Sequence, residues 1–215
     1  MLLYEKLNIS RGVTAVIGSG GKTTLLRTLS RELPGTVLLA TTTHILPFEG
    51  VPLVTDGGEA AVRRALAESR VVCVGTPAAE GKLTAPALPF SVLMRLADYV
   101  LVEADGSRRL PLKAHAPHEP VIPPEAKRVL CVVGARGFDR PIQEAVHRPE
   151  VFCALTGTQP GDIASPENVM QARAAEGLSR SFLLTSATDA QFAFFSHAAA
   201  AHGLTAIALP PQNSI

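Results

Sequence analysis

Tryptophan is absent from the 215 residues, and aromatic residues of every kind make up only 5%. Charge is scarce as well: 18% of residues are Asp, Glu, Lys or Arg, against about 25% in typical domains. The 20 basic and 19 acidic residues leave a formal net charge of +1. That balance lacks the basic excess of a general nucleic-acid binder. Cysteines number three, and Cys73, Cys131 and Cys153 form neither a C-x-x-C pair nor a Cys/His ligand pattern. A disulfide framework and a structural zinc site are thus excluded, and all three read as small buried apolar residues. Long apolar runs are missing too. Residues 190–215 carry no formal charge, but Ser196, His197, His202, Gly203 and Thr205 interrupt them. No run approaches the ~18 apolar residues of a membrane span. The opening Met-Leu-Leu-Tyr-Glu-Lys shows no basic region leading into an apolar stretch, so no signal peptide is expected. These absences point to a cytoplasmic protein with neither nucleic acid nor membrane as partner.

What is present is an apolar fraction of 47%, too high for a disordered chain. The length fits one domain, or one domain with a small appendage, and buries a core without metal or disulfide. Short apolar runs alternate with helical patterns. Strands are expected at 13–17, 36–40, 51–54, 70–74, 99–102, 128–133, 181–185 and 204–209, with a hairpin partner at 83–85. Helices are expected at 23–33, 59–69, 90–97, 166–176 and 189–202. Ser165-Pro166-Glu167 has the composition of a helix start: a cap, a proline at the first position and an acid in the first turn. Residues 104–124 read as a long loop and 134–149 as irregular. Apolar strands alternating with helices imply an α/β chain, its mostly parallel sheet covered by helices on both faces.

One motif carries most of the chemistry. Gly18-Ser19-Gly20-Gly21-Lys22-Thr23-Thr24 follows an expected strand and opens an expected helix. Glycines let backbone N–H groups turn around phosphate oxygens, and the helix N-terminus adds positive potential. A lysine here reaches β- and γ-phosphates, and the next hydroxyl ligates Mg²⁺. Val16 stands where the full G-x-x-x-x-G-K-[ST] pattern has its first glycine. The shortened loop resembles that of the Mur ligases. A P-loop nucleotide-binding fold is therefore expected, with residues 1–150 as its core. Residues 151–215 then form a C-terminal α/β continuation or a small subdomain.

Two carboxylates follow a second apolar strand in Tyr99-Val-Leu-Val-Glu103-Ala-Asp105-Gly106. Ligands of open α/β sheets bind at that strand end. Glu103 or Asp105 can hold Mg²⁺ opposite Thr23, the other orienting water or substrate; a solvated turn is the competing reading. Thr41-Thr42-Thr43-His44 ends another strand and offers hydroxyls and an imidazole to phosphate, metal or substrate, or simply a polar strand end. Arg108, Arg109 and Lys113 suit anionic groups, with a solvated charged loop as the alternative. Arg136, Arg140, His147 and Arg148 offer a second anion-binding face. Guanine readout is not indicated: Asp189 follows a late strand, but the Asn-Lys pair that precedes such an Asp in many GTPases is missing.

These stretches together resemble the YqeC-like family. The resemblance rests on the loop at 18–24, Ala-Thr-Thr-Thr-His at 40–44 and Val-Glu-Ala-Asp-Gly-Ser-Arg-Arg-Leu-Pro-Leu-Lys-Ala at 102–114. His118-Glu-Pro-Val-Ile-Pro123 and Val146-His-Arg-Pro-Glu150 extend it. It implies a nucleotide-binding accessory factor in the maturation of selenium-dependent molybdenum hydroxylases, with such an enzyme or its molybdopterin-type cofactor as partner. The expected ligands are ATP or another NTP with Mg²⁺. Lys22, Glu103 and Asp105 are the catalytic candidates if phosphoryl transfer, nucleotidyl transfer or hydrolysis takes place. Gly18–Thr24, Thr42, Thr43, His44, Arg108, Arg109 and Lys113 are the binding candidates. Thr23, Glu103 and Asp105 are the metal candidates. Two alternatives stand beside this reading: a non-catalytic carrier of a molybdopterin-type cofactor, and a small-molecule kinase unrelated to selenium.

Overall fold

A computed structural model describes residues 1–55 and 57–209. The chain is α/β, with a mostly parallel central sheet flanked by helices. It divides into two compact units, each made of several chain segments: residues 1–16, 23–105 and 121–128 in the first, and 17–22, 106–120 and 129–215 in the second.

The first unit contains, in chain order, α1 (Leu3–Lys6), most of β1 (Gly12–Gly18), all but the first residue of α2 (Lys22–Glu32), β2 (Val37–Thr41), β3 (Leu53–Val54), α3 (Glu59–Glu68) and β4 (Val71–Val74). A small antiparallel hairpin of β5 (Thr76–Pro77) and β6 (Leu83–Thr84) follows, then α4 (Phe90–Leu96) and β7 (Tyr99–Glu103). Its strands run parallel in the order β1-β7-β2-β4-β3. Every residue of β1, β2 and β7 is buried, as a parallel sheet covered on both faces requires. Period-two alternation puts Val13, Leu38, Ala40, Val72, Val74, Val100 and Val102 in one cluster with Val62 of α3 and Leu93 of α4. Leu25, Leu26 and Leu29 of α2 are fully buried and form its apolar stripe.

The placement of β7 matters most. It pairs with β1 on one side and β2 on the other, so Val16 and Thr41 both lie in register with Glu103. The chain leaves β1, forms α2 and returns as β2, skipping the slot that β7 later fills. The C-terminal ends of these three strands therefore meet.

In the second unit, β8 (Leu112–Lys113) and β10 (Val146–His147) make a short parallel pair. The last six residues of β9 (Ala126–Gly134), β11 (Ser181–Thr185) and β12 (Thr205–Ala208) are parallel, in the order β9-β11-β12. The helices are α5 (Ile142–Ala145), α6 (Pro149–Thr156), α7 (Pro166–Glu176) and α8 (Asp189–Ala201). Helix α6 is not among the helices expected from the sequence. It is only eight residues long, begins at Pro149 and buries one side chain, Phe152, too little for a periodic signal. The paired strands β8 and β10 were likewise read as loop, because two-residue strands carry no alternation.

The helix start at Ser165 closes as a capping box: Ser165 Oγ accepts from the Asn168 N–H at 3.2 Å, and Asn168 Oδ1 accepts from the Ser165 N–H at 2.8 Å. Thr188 and Gln191 cap α8 in the same way. Replacing Ser165 by Ala is expected to lower the unfolding free energy by about 1 kcal/mol in urea titrations.

Candidate functional site

In the first unit the polar groups gather at the end of β7. The Thr23 hydroxyl, in the first turn of α2, donates to Glu103 Oε2 at 3.3 Å. The Glu103 carbonyl accepts from the Thr41 hydroxyl at 2.8 Å and from the Thr42 N–H at 3.1 Å. Thr41 Oγ1 also accepts from the Thr43 N–H at 3.0 Å, and the Thr42 hydroxyl donates to the Val121 carbonyl at 2.7 Å. The Thr41 hydroxyl and the Thr42 N–H thus tie the end of β2 to the end of β7, while the Thr42 hydroxyl holds the segment at Val121. Thr23 and Thr24 are exposed, as is His44, while Thr42 and Thr43 are half-buried. Glu103 is 9% exposed and Asp105 is fully buried, so neither carboxylate belongs to a solvated turn. Strand β7 stops at Glu103, and Asp105 lies beyond it rather than on the same strand face.

In the second unit the glycine loop is set by close packing. Gly18 has φ +87°, and a Cβ there would lie 2.2 Å from the Val132 carbonyl oxygen. At Gly20, φ is +86° and a Cβ would meet the Gly134 Cα at 2.5 Å. Both positions need glycine for their backbone angle and for the approach of β9. The Ser19 N–H donates to the Val132 carbonyl at 2.9 Å, and the Thr185 hydroxyl donates to the Gly20 carbonyl at 2.5 Å. Ser19 is 1% exposed, and its Oγ has no hydrogen-bond partner among the described residues. Lys22 curls back over this loop, its Nζ donating to the Gly18 carbonyl at 2.6 Å. The first turn of α2 holds no acidic residue of its own. The seven-residue motif is continuous, and the chain passes from the second unit to the first at the Lys22–Thr23 peptide bond.

Lys113 does not face solvent. Its side chain is fully buried, and its Nζ donates to the Gly106 carbonyl and to Glu119 Oε2, both at 2.5 Å. Glu119 Oε1 receives a second bond from Arg148 Nε. Burial raises the Glu119 carboxyl, but the hydrogen bonds from Lys113 and Arg148 outweigh it and bring its pKa from 4.5 down to about 2. Burial, and then the Lys113 charge, push His147 below its usual range. Arg108 and Arg109 are exposed and both adopt positive φ, at 48° and 62°. Arg136 and Arg140 are exposed too.

A further cluster had no sequence signal. Glu176 accepts from the His115 N–H at 2.8 Å and from Arg173 Nη1 at 2.7 Å, and its Oε2 lies 3.0 Å from His115 Nδ1. His115 and Glu176 are 61 residues apart, and only the fold brings them together. Burial raises the Glu176 carboxyl, yet the bonds from His115 and the charge of Arg173 leave it below the ordinary range. Cys73 is buried, which lifts its thiol to about 11, so it is an unreactive core residue.

Among the described residues, no group of three or more His, Cys, Asp or Glu side chains could hold a metal ion. Thr23 and Glu103 provide two hard oxygen donors. That set suits a Mg²⁺ that takes its other ligands from phosphate and water. No helix among the described residues is long and apolar enough to cross a membrane.

Comparison with known proteins follows the same stretches. The family model described as "YqeC protein" matches residues 14–150. A relative named "Uncharacterized protein YqeC", from Escherichia coli (strain K12), is 37% identical over 158 residues. That alignment covers 69% of this chain and 62% of the relative, so the chain spans about six-tenths of that protein's length. No solved structure matches.

Gly18→Ala is expected to cost about 3 kcal/mol of stability, through strain and overpacking against Val132. The control is Gly157→Ala: Gly157 has a similar φ of +72°, but nothing lies within 4 Å of a Cβ there. That change is expected to cost about 1 kcal/mol, both values being read from denaturant midpoints.

Proposed function

Taking as premise that the chain belongs to the YqeC family, we propose that it is a P-loop protein that binds a Mg²⁺-nucleotide. The observation that carries this reading is the 3.3 Å hydrogen bond from the Thr23 hydroxyl to Glu103 Oε2. A hydroxyl immediately after the loop lysine, joined to a carboxylate at a strand end, is the pairing that holds Mg²⁺ beside a bound triphosphate.

In this reading the loop from Gly18 to Lys22 binds the phosphates. Lys22 exchanges the Gly18 carbonyl for phosphate oxygens, gaining a charged partner for a neutral one. Thr23 and Glu103 hold the metal, and Asp105, fully buried two residues further on, orients water beside it. When bound, Mg²⁺ neutralises charge on the β- and γ-phosphates. Thr43, His44, Arg108 and Arg109 remain available for a second substrate or partner, whereas Thr42 and Lys113 act by holding backbone carbonyls. Family resemblance extends the proposal to a role in maturing selenium-dependent molybdenum hydroxylases, with ATP or another NTP as the ligand.

The test is calorimetric titration of ATP and of GTP, with Mg²⁺ and with EDTA, alongside phosphate release. Wild-type protein is expected to bind one of the two nucleotides more tightly with Mg²⁺. Lys22→Ala is expected to weaken that binding at least tenfold, a loss of about 1.4 kcal/mol or more. Absence of nucleotide binding under all conditions, with retention of a pterin instead, would overturn the proposal in favour of a cofactor carrier. The wider role is tested by producing a selenium-dependent molybdenum hydroxylase with and without this protein; equal activity contradicts it.

A further inference from the structure

Within the second unit, the peptides of the glycine loop are turned by the groups that hold them. In a trans peptide the carbonyl of one residue and the N–H of the next point in opposite directions. The peptide joining Gly18 to Ser19 shows this. Its N–H donates to the Val132 carbonyl at 2.9 Å, and its carbonyl accepts from Lys22 Nζ at 2.6 Å. The peptide joining Gly20 to Gly21 is held at its carbonyl instead. The Gly20 carbonyl accepts from the Thr185 hydroxyl at 2.5 Å, so the Gly21 N–H points away from Thr185. That N–H has no hydrogen-bond partner among the described residues.

The two glycines do not fix this orientation by themselves. Gly20 and Gly21 have φ of +86° and +139°, and with no side chain on either residue many backbone angles are open to the peptide between them. A half turn of that peptide would put the Gly20 carbonyl oxygen where the Gly21 N–H stands, and an oxygen there repels phosphate. Thr185 reaches the loop because β11 pairs with β9 in a register that sets Thr185 beside Gly134, the residue that Gly20 approaches. Its hydroxyl also lies 3.3 Å from the Val133 carbonyl, but its single proton serves the nearer Gly20 oxygen. Its methyl lies 3.1 Å from where a Gly21 Cβ would be. Hydroxyl and methyl therefore act on the same peptide in ways that substitution can separate.

We propose that Thr185 is a positioning residue for phosphate binding, its hydroxyl locking the peptide between Gly20 and Gly21 with the N–H turned toward the ligand. The Gly21 N–H is then a donor already aimed when phosphate arrives, one member of the concave set of amides that such loops present. The proposal rests on the reading of the glycine loop as a phosphate site.

The experiment measures affinity for ATP and for GTP, each with Mg²⁺, together with thermal melts and hydrogen exchange at the Gly21 amide. Thr185→Val keeps the methyl and removes the hydroxyl, and is expected to weaken nucleotide binding about tenfold. Thr185→Ala is expected to do the same, and decides the matter if Thr185→Val fails to fold. Thr185→Ser keeps the hydroxyl, and its affinity is expected to stay near the wild-type value. In wild-type protein, nucleotide is expected to protect the Gly21 amide from exchange. Lys22→Ala tests the underlying reading. If Lys22→Ala weakens binding while Thr185→Val and Thr185→Ala do not, the proposal is overturned and the phosphate reading stands. A lower melting temperature with unchanged affinity also overturns it, because that is the mark of a purely structural bond. So does an equal loss in Thr185→Ser, which would assign the effect to the methyl, or a Gly21 amide that nucleotide leaves unprotected. If wild-type protein binds neither nucleotide, or Lys22→Ala binds as wild type does, the phosphate reading falls and the proposal falls with it.

Discussion

Glu103 is constrained from three directions within the first unit. Its backbone lies between Val16 of β1 and Thr41 of β2, its carbonyl receives Thr41 and Thr42, and its carboxylate receives Thr23. The parallel register imposes this arrangement. Shifting β7 by one residue would turn Glu103 toward the opposite face and break its bond to Thr23. Such a shift would also take Val100 and Val102 out of the cluster packed with α3 and α4, so the apolar core and the polar site specify the same register. Burial of the aliphatic side chains of that cluster holds the carboxylate at the strand end.

In the second unit, close packing plays the corresponding part. The approach of Gly18 and Gly20 to β9 requires glycine whatever else the loop does. Glycines that the motif assigns to phosphate binding therefore also have a packing duty, and the two demands agree. The same holds for Thr185, whose hydroxyl fixes the Gly20 carbonyl from the end of β11. Lys113 and Glu119 extend the pattern: a charged pair, buried and satisfied, stands where a looser chain would carry a mobile polar turn.

Local patterns made much of this legible from residues alone. Five consecutive residues at 13–17, a glycine cluster and a leucine-striped helix read correctly as strand, loop and helix, because each signal lies within a few positions. Ser165-Pro166-Glu167 announced its helix for the same reason. Pairings over distance were not legible. Glu119 looked like one charge among six in residues 103–119, and its partners Lys113 and Arg148 come together only through the β8–β10 pairing. His115 and Glu176 are joined by the fold alone. Thr41 and Thr42 read either as ligand-binding hydroxyls or as a polar strand end; their hydroxyls donate to the Glu103 and Val121 carbonyls, partners that spacing does not show.

The central claim is that Thr23 and Glu103 act as one unit toward a metal-bound nucleotide. A double-mutant cycle of Thr23→Val and Glu103→Gln, read as Mg²⁺-dependent nucleotide affinity, tests it most directly. Coupling of about 1 kcal/mol or more between the two substitutions is the predicted result, because either one alone dismantles the shared oxygen pair. Strictly additive losses, or no loss from either change, would contradict the account.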